Sequence, residues 1–121
     1  MRVYPLNTAD VEAELPLFPG TAEQLGGQVL RGPLEIRVRI DFQQDGLSAG
    51  LFETSSGLVS ILFPFTEHAT ILLGEVTLTD ESGRSHTYKP GDSYLIQQGQ
   101  RILWDVKTPR VRKSFFNITR P

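Results

Sequence analysis

Cysteine is absent from the 121 residues, and histidine and tryptophan are scarce, with two copies and one copy. The lack of cysteine excludes disulfide bonds, thiolate zinc sites and catalysis by a thiol. Two histidines also cannot supply a three-histidine metal site within one subunit. Long apolar runs are missing as well, since the stretch from Leu58 to Phe65 falls far short of the ~20 residues that span a bilayer.

The sequence has a small net charge and shows no targeting signal. The net charge is −2, without the strongly basic domain that is typical of nucleic-acid-binding proteins. The first residues show no apolar core of signal-peptide length followed by a small-residue cleavage site. We therefore expect a cytoplasmic protein with neither nucleic acid nor a membrane as partner. The length suits one domain with its own hydrophobic core.

The N-terminal third differs in pattern from the rest of the chain. It contains prolines at Pro16 and Pro19, a short helix predicted from Thr21 to Leu25 before Gly26-Gly27, and a further helical turn predicted to begin at Thr8. We interpret residues 1–33 as an arm or lid packed on the main domain. Residues 34–121 are predicted to form that domain, a β-barrel.

From Leu34 the apolar residues recur at every second position, as on a half-buried strand. The residues on the inward face are Leu34, Ile36, Val38, Ile40 and Phe42, with charged residues between them. Further strands are predicted at 49–54, 58–65, 69–73, 75–79, 85–89, 93–97, 101–106 and 111–119. Gly and Pro mark the turns, and no long helical period occurs, so the pattern indicates an all-β sandwich or barrel.

Four segments resemble the cupin superfamily, and more closely the short cupins of the ethanolamine-utilisation and ureidoglycine-aminohydrolase group. They are Gly74 to Gly83, Tyr88 to Asp92, Gly99 to Trp104 and Val111 to Phe115, and the resemblance covers roughly residues 48–118. It implies a single cupin-type double-stranded β-helix, or jelly-roll barrel, preceded by the short N-terminal arm. Relatives also suggest a homodimer, for which the strand from Leu34 to Phe42 is a candidate contact edge.

Cupins commonly hold a divalent metal with three histidines and one glutamate. In this sequence Glu67 takes the glutamate position before Gly74, whereas the histidine positions fall on Ile61 and Phe63, or on Ser60 and Leu62. The remaining histidine position falls on Ile102. Because a transition-metal site needs three or four ligands, one carboxylate cannot hold the ion. We expect no metal and no other cofactor.

Glu67 is the strongest candidate for a functional residue. It is predicted to face the barrel interior, where burial raises the pKa of a carboxyl group unless a cation or hydrogen-bond donor meets it. Lys113 is the natural partner by resemblance, and the alternative to a ligand site is a satisfied interior ion pair. Trp104 and Phe63 are candidate walls of the ligand site. His68 neighbours Glu67 in sequence and therefore points to the opposite strand face.

Three functions remain open. The first is a metal-free cupin that binds a small polar or carboxylated molecule among Glu67, Lys113, Trp104 and Phe63. The second is a metal-independent isomerase, lyase or hydrolase with Glu67 as catalytic general acid and base. The third is a structural or regulatory dimeric barrel without catalysis. A catalyst needs Glu67 beside an accessible space, whereas a scaffold allows Glu67 to be sealed and fully paired.

Overall fold

A computed structural model describes residues 1–6 and 15–121 and shows an antiparallel all-β architecture. A 3₁₀ turn at Ala22–Leu25 precedes the strands. The strands are β1 Gly27–Arg31, β2 Ile36–Gln44, β3 Leu47–Leu62, β4 Thr66–Leu73, β5 Val76–Thr79, β6 Ser85–Tyr88, β7 Ser93–Ile96 and β8 Arg101–Ile118. The fold class predicted from the period-two pattern is confirmed.

Two long strands, β3 and β8, form the spine of the barrel. They pair along nearly their whole length, and the register shifts once, between Ser55 and Gly57. One half of the spine pairs with β2 on one side and with β4 on the other, and β7 pairs with β4. The other half pairs with β1 on one side and with β5 on the other, and β6 pairs with β5. Both spine strands therefore run through the two halves of the jelly roll.

The sequence pattern divided each spine strand in two, at Ser55-Ser56-Gly57 and near Pro109. In the structure these stretches are irregularities within continuous strands, because neighbouring residues on both sides keep their cross-strand partners. Gly57 adopts φ of +153° at the register shift, which a side chain would rarely accept. The predicted breaks were wrong, because the chain bends locally at these stretches but does not reverse its direction.

A second register shift, between Ile40 and Phe42, changes which residues of β2 face inward. A bulge inserts one extra residue, so that the alternation of side chains is interrupted. Ile40 and Gln43 line the interior cavity, whereas Phe42, which pairs with Ala49 after the shift, does not. The prediction that Phe42 shares the inward face with Ile40 was therefore wrong.

The N-terminal segment lies along β2. Main-chain hydrogen bonds join the Phe18 N–H to the Ile36 carbonyl at 2.9 Å and the Val38 N–H to the Pro16 carbonyl at 3.0 Å. This stretch of the β2 edge, a candidate for contact with a second copy, is thus occupied by the chain itself. Strand β1 also begins at Gly27, within the stretch that the sequence assigned to the arm.

Residues near the N-terminus cover the outer face of the sheet. Tyr4 and Leu15 pack with Leu51 and Leu72 in a small apolar cluster, and the Tyr4 hydroxyl donates to Asp41 at 2.7 Å. The predicted helix before Gly26 is confirmed as the 3₁₀ turn, with Gly26 at φ of +85°. The turn predicted at Thr8 lies outside the described residues.

Gly74 joins β4 to β5 in a position that excludes any side chain. Its φ is +74°, and a Cβ there would lie 1.9 Å from the Arg110 carbonyl oxygen. Gly83, in the hairpin between β5 and β6, has φ of +89°, but a Cβ added to it would meet no other atom within 4 Å. A side chain at either position would be destabilised by the left-handed backbone conformation. Only at Gly74 would it also collide with the main chain.

Gly74→Ala and Gly83→Ala share the left-handed penalty of about 1–2 kcal/mol. Because only Gly74→Ala adds a collision with the Arg110 carbonyl, we expect it to lower the free energy of unfolding by about 1–2 kcal/mol more than Gly83→Ala does. Urea denaturation of the two variants measures this difference. Equal losses for both would contradict the close approach of the Gly74 backbone to Arg110.

Candidate functional site

Three polar side chains from three neighbouring strands meet in the barrel interior. Lys113 Nζ donates to Glu67 Oε2 at 2.6 Å and to the Tyr94 hydroxyl at 2.7 Å. The Tyr94 hydroxyl in turn donates to the same Glu67 oxygen at 2.6 Å. Strand β4 places Glu67 between Ile96 of β7 and Asn117 of β8. The polar cluster is therefore a closed hydrogen-bonded triangle, which we call the Glu67–Tyr94–Lys113 triad.

The triad is removed from bulk water. Glu67 is 2% exposed, and Tyr94 and Lys113 are each 5% exposed. Burial lowers the pKa of the Lys113 ammonium, while the charge and the hydrogen bond of Glu67 act in the opposite direction. Burial also raises the pKa of the Tyr94 phenol well above its ordinary value, and the Glu67 carboxylate adds to that effect.

Aromatic rings surround the ammonium group of Lys113 on its other sides. Its Nζ lies 4.7 Å from the ring centres of both Phe52 and Trp104, within the range of cation–π contacts. The two rings meet edge to face with centroids 6.1 Å apart. The Trp104 indole N–H donates to the Thr54 hydroxyl at 3.1 Å. Trp104 thus packs in the core and also forms part of the site.

A cavity of about 350 Å³ opens beside the triad. Glu67, Lys113 and Trp104 line it, as do Phe63 and Asn117. Most of the other lining residues are apolar, among them Phe18, Leu25, Leu34, Ile36, Val38, Ile40, Phe52, Val59, Ile61, Phe65 and Phe115. An apolar chamber with a few convergent polar groups is typical of a small-molecule site.

The residues at the cupin metal-ligand positions do not fit a metal ion. Ile61 and Phe63 line the cavity, and Ile102 is buried opposite Ile61 on β8, so none of the three offers a donor atom. Glu67 is already paired with a buried cation, Lys113. Within residues 1–6 and 15–121, no group of three His, Cys, Asp or Glu side chains is placed to hold a metal.

The structure brings Glu67, Lys113, Trp104 and Phe63 together around one cavity. The interior ion pair between Glu67 and Lys113, which the sequence offered as the alternative to a ligand site, is present. A role for these residues in ligand binding or catalysis stays a prediction. His68 is exposed on the opposite face of β4, and His86 contacts the Tyr88 ring at 4.5 Å between centroids. Neither histidine lines the cavity.

Tyr94 is the residue of the triad that the sequence analysis did not identify. The available signal was the alternation within β7, where Tyr94 shares a strand face with the apolar Ile96. Phe52 and Asn117 were also not singled out. Their apolar and amide side chains carry no motif, and only the pairing of β3, β4 and β8 places them at the cavity.

The fold and site define a cupin barrel whose interior holds an ion pair. The sequence model of the EutQ-like cupin domain matches residues 43–115. The chain belongs to the family of EutQ-like cupin domains. No curated protein matches the chain significantly.

Several solved structures share this fold. The EutQ protein of Clostridium difficile is 16% identical with a TM-score of 0.63, over 71% of this chain and 69% of that chain. The Cnp3 cupin domain of Schizosaccharomyces pombe is 14% identical with a TM-score of 0.61, over 70% and 65%. A protein of unknown function from Pseudomonas syringae is 22% identical with a TM-score of 0.74, over 87% of this chain but 44% of that chain.

The described part of the chain contains no helix with the length and apolar character needed to cross a membrane.

Proposed function

We propose that this cupin works without a metal and binds a small molecule in its barrel, with an apolar body and a polar or carboxylate head. The observation that carries the proposal is the apolar cavity of about 350 Å³ with Lys113 and Glu67 in its wall. A lysine ammonium has three N–H donors, and two of them go to Glu67 and Tyr94. The third is available for an oxygen of the ligand head group.

The apolar lining supplies affinity and the lysine supplies orientation. Burial of ligand surface contributes about 25 cal/mol per Å² of apolar area, so a short alkyl chain suits the chamber. Glu67 neutralises Lys113 in the free protein, which keeps the buried charge pair balanced before a ligand enters. A carboxylate head then shares Lys113 with Glu67, whereas a neutral carbonyl head adds no charge.

We expect hexanoate to raise the free energy of unfolding by about 2.7 kcal/mol when its concentration is a hundred times its dissociation constant. Ile61→Trp fills the cavity and should abolish this stabilisation. Leu62→Trp is the matched control, since Leu62 is the next residue, is 47% exposed and does not line the cavity. Thermal unfolding with and without hexanoate measures this stabilisation in the unaltered protein and in the two variants.

Stabilisation that survives in Ile61→Trp, or is lost equally in Leu62→Trp, would place the ligand outside the barrel. Absence of any stabilisation by hexanoate, hexanol and hexanal would overturn the proposal of an apolar small-molecule site.

Catalysis without a metal is the second candidate function. It is favoured by the position of Glu67, which lines the cavity and lies within 2.6 Å of two groups that carry transferable protons. The scaffold alternative is favoured by the same residue's 2% exposure and by the two hydrogen bonds that its Oε2 accepts. The presence of an open chamber next to the carboxylate favours a ligand site over a scaffold. The homodimer stays a prediction.

A further inference from the structure

Lys113 stands at the boundary between the polar triad and the apolar cavity. On one side its Nζ contacts Glu67 Oε2 and the Tyr94 hydroxyl at 2.6 and 2.7 Å. On the other side lie the rings of Phe52 and Trp104, both of which line the cavity. The amine is thus held in one position next to the space that a ligand would enter.

Fold stability alone does not require a buried lysine in a barrel. Removing an ammonium and a carboxylate from water costs several kcal/mol per ion in general, and apolar residues of similar volume often give a fold of equal stability. Lysine amines become nucleophiles when an apolar pocket desolvates them, because desolvation favours the neutral form. The direction of the Lys113 pKa shift agrees with this environment.

We propose that Lys113 forms a Schiff base with small apolar aldehydes or ketones that enter the cavity. This inference rests on the proposed function, because it requires the cavity to admit a small molecule with its head group at Lys113. It adds the substrate class, a carbonyl compound, and the reacting atom, Nζ.

Formation of the Schiff base needs no further reactant. Lys113 Nζ first gives one proton to Glu67 Oε2 along their hydrogen bond, and the neutral amine attacks the carbonyl carbon. A C–N bond forms, the C–O π electrons move to oxygen, and a proton passes from nitrogen to that oxygen. Glu67 then returns its proton to the hydroxyl group, the C–O bond breaks, and water leaves as the C=N bond forms. One carbonyl compound and one ammonium give one iminium and one water.

Tyr94 is a positioning residue in this scheme. It accepts a hydrogen bond from Lys113 and donates one to Glu67, and it does not line the cavity. The raised pKa of its phenol keeps the hydroxyl protonated, so that it continues to donate to the carboxylate. Its contacts fix the amine and the carboxylate relative to each other.

Reductive trapping tests the inference on the unaltered protein. The chain contains three lysines, Lys89, Lys107 and Lys113, which makes the assignment of an adduct simple. Incubation with hexanal and cyanoborohydride should add the mass of hexanal less one oxygen atom. Peptide mapping should locate the adduct on Lys113, with labelling at least tenfold faster than on exposed Lys89 and Lys107. Equal labelling of the three, or labelling that spares Lys113, would overturn the inference.

Variants separate the chemistry from folding. Lys113→Arg keeps a cation beside Glu67 but cannot form an imine, and should lose the specific adduct. Lys107→Arg is the control, because Lys107 has a side chain that is 77% exposed and should not affect labelling of Lys113. Hexanoate, which cannot form an imine, distinguishes the two proposals. If hexanoate stabilises the protein but hexanal leaves Lys113 unlabelled, the cavity binds ligands and the Schiff-base inference fails. If neither interacts, both fail.

Discussion

Replacing Glu67 by leucine is expected to lower the free energy of unfolding by about 3–5 kcal/mol, because it leaves the Lys113 ammonium buried without its counter-charge. Glu67 is 2% exposed and accepts two of the three hydrogen bonds of the triad on one oxygen. Urea denaturation followed by circular dichroism measures the change. A loss below about 1 kcal/mol, the usual value for a surface ion pair, would contradict the buried ion pair.

Asp105→Leu provides the matched control, because it also replaces a carboxylate by an alkyl group. Asp105 accepts from Arg31 at the same distance of 2.6 Å, but the two side chains are 21% and 48% exposed. An exposed pair contributes about 0–1 kcal/mol, so the control should change stability little. The comparison isolates burial, since the distance between charged atoms is the same in both pairs.

Removing the whole triad should be tolerated better than removing Glu67. In the triple variant Glu67→Leu, Tyr94→Phe, Lys113→Met, no charge or hydroxyl group is left buried without a partner. We expect it to recover most of the loss, because apolar replacement of a buried ion pair is often neutral or stabilising. Tyr94 must be included, since an unpaired buried hydroxyl costs about 1–3 kcal/mol. Stability equal to that of Glu67→Leu would show that the loss arises from packing rather than charge.

Replacing Trp104 by alanine is expected to lower the free energy of unfolding by about 3–5 kcal/mol, the range for large aromatic residues in cores. Trp104 is 1% exposed, meets Phe52 edge to face, and donates to Thr54. Circular dichroism must follow the unfolding, because Trp104 is the single tryptophan. A loss below about 1.5 kcal/mol would contradict its placement in a well-packed core.

Trp104→Phe separates ring packing from the hydrogen bond. The variant keeps an aromatic ring beside Phe52 and Lys113 but leaves the Thr54 hydroxyl without the indole donor. We expect a smaller loss than for alanine, since loss of a buried partner costs about 1–3 kcal/mol. A loss as large as that of Trp104→Ala would mean that ring size, rather than aromatic contact, decides the stability of this wall.

The local alternation of side chains predicted a large part of the site. Because successive strand residues face opposite sides, Glu67 and His68 had to point apart, and the structure places Glu67 inside and His68 outside. The same alternation puts Ile102 and Trp104 on one face of their strand, and both are buried in the structure. These predictions succeeded because they use only the period of a strand and need no knowledge of its neighbours.

The local alternation of side chains cannot predict features that depend on a strand irregularity or on pairing between strands that are distant in sequence. The bulge at Asp41 moves Phe42 to the outer face, and the pattern of hydrophobic residues continues through it without interruption. The long strands β3 and β8 keep their pairing across residues with turn-like composition. Tyr94 joins the triad because β7 pairs with β4, a contact that no local motif specifies.

A crystal structure with hexanoate, of protein purified without chelators, tests whether the barrel binds a ligand without a metal. We expect ligand density in the barrel, with the alkyl chain against Ile61 and Phe63 and a carboxylate oxygen within about 3 Å of Lys113 Nζ, a normal hydrogen-bond distance. Ligand density confined to the outer face of the sheet would contradict it. A metal ion coordinated by Glu67 would contradict it as well.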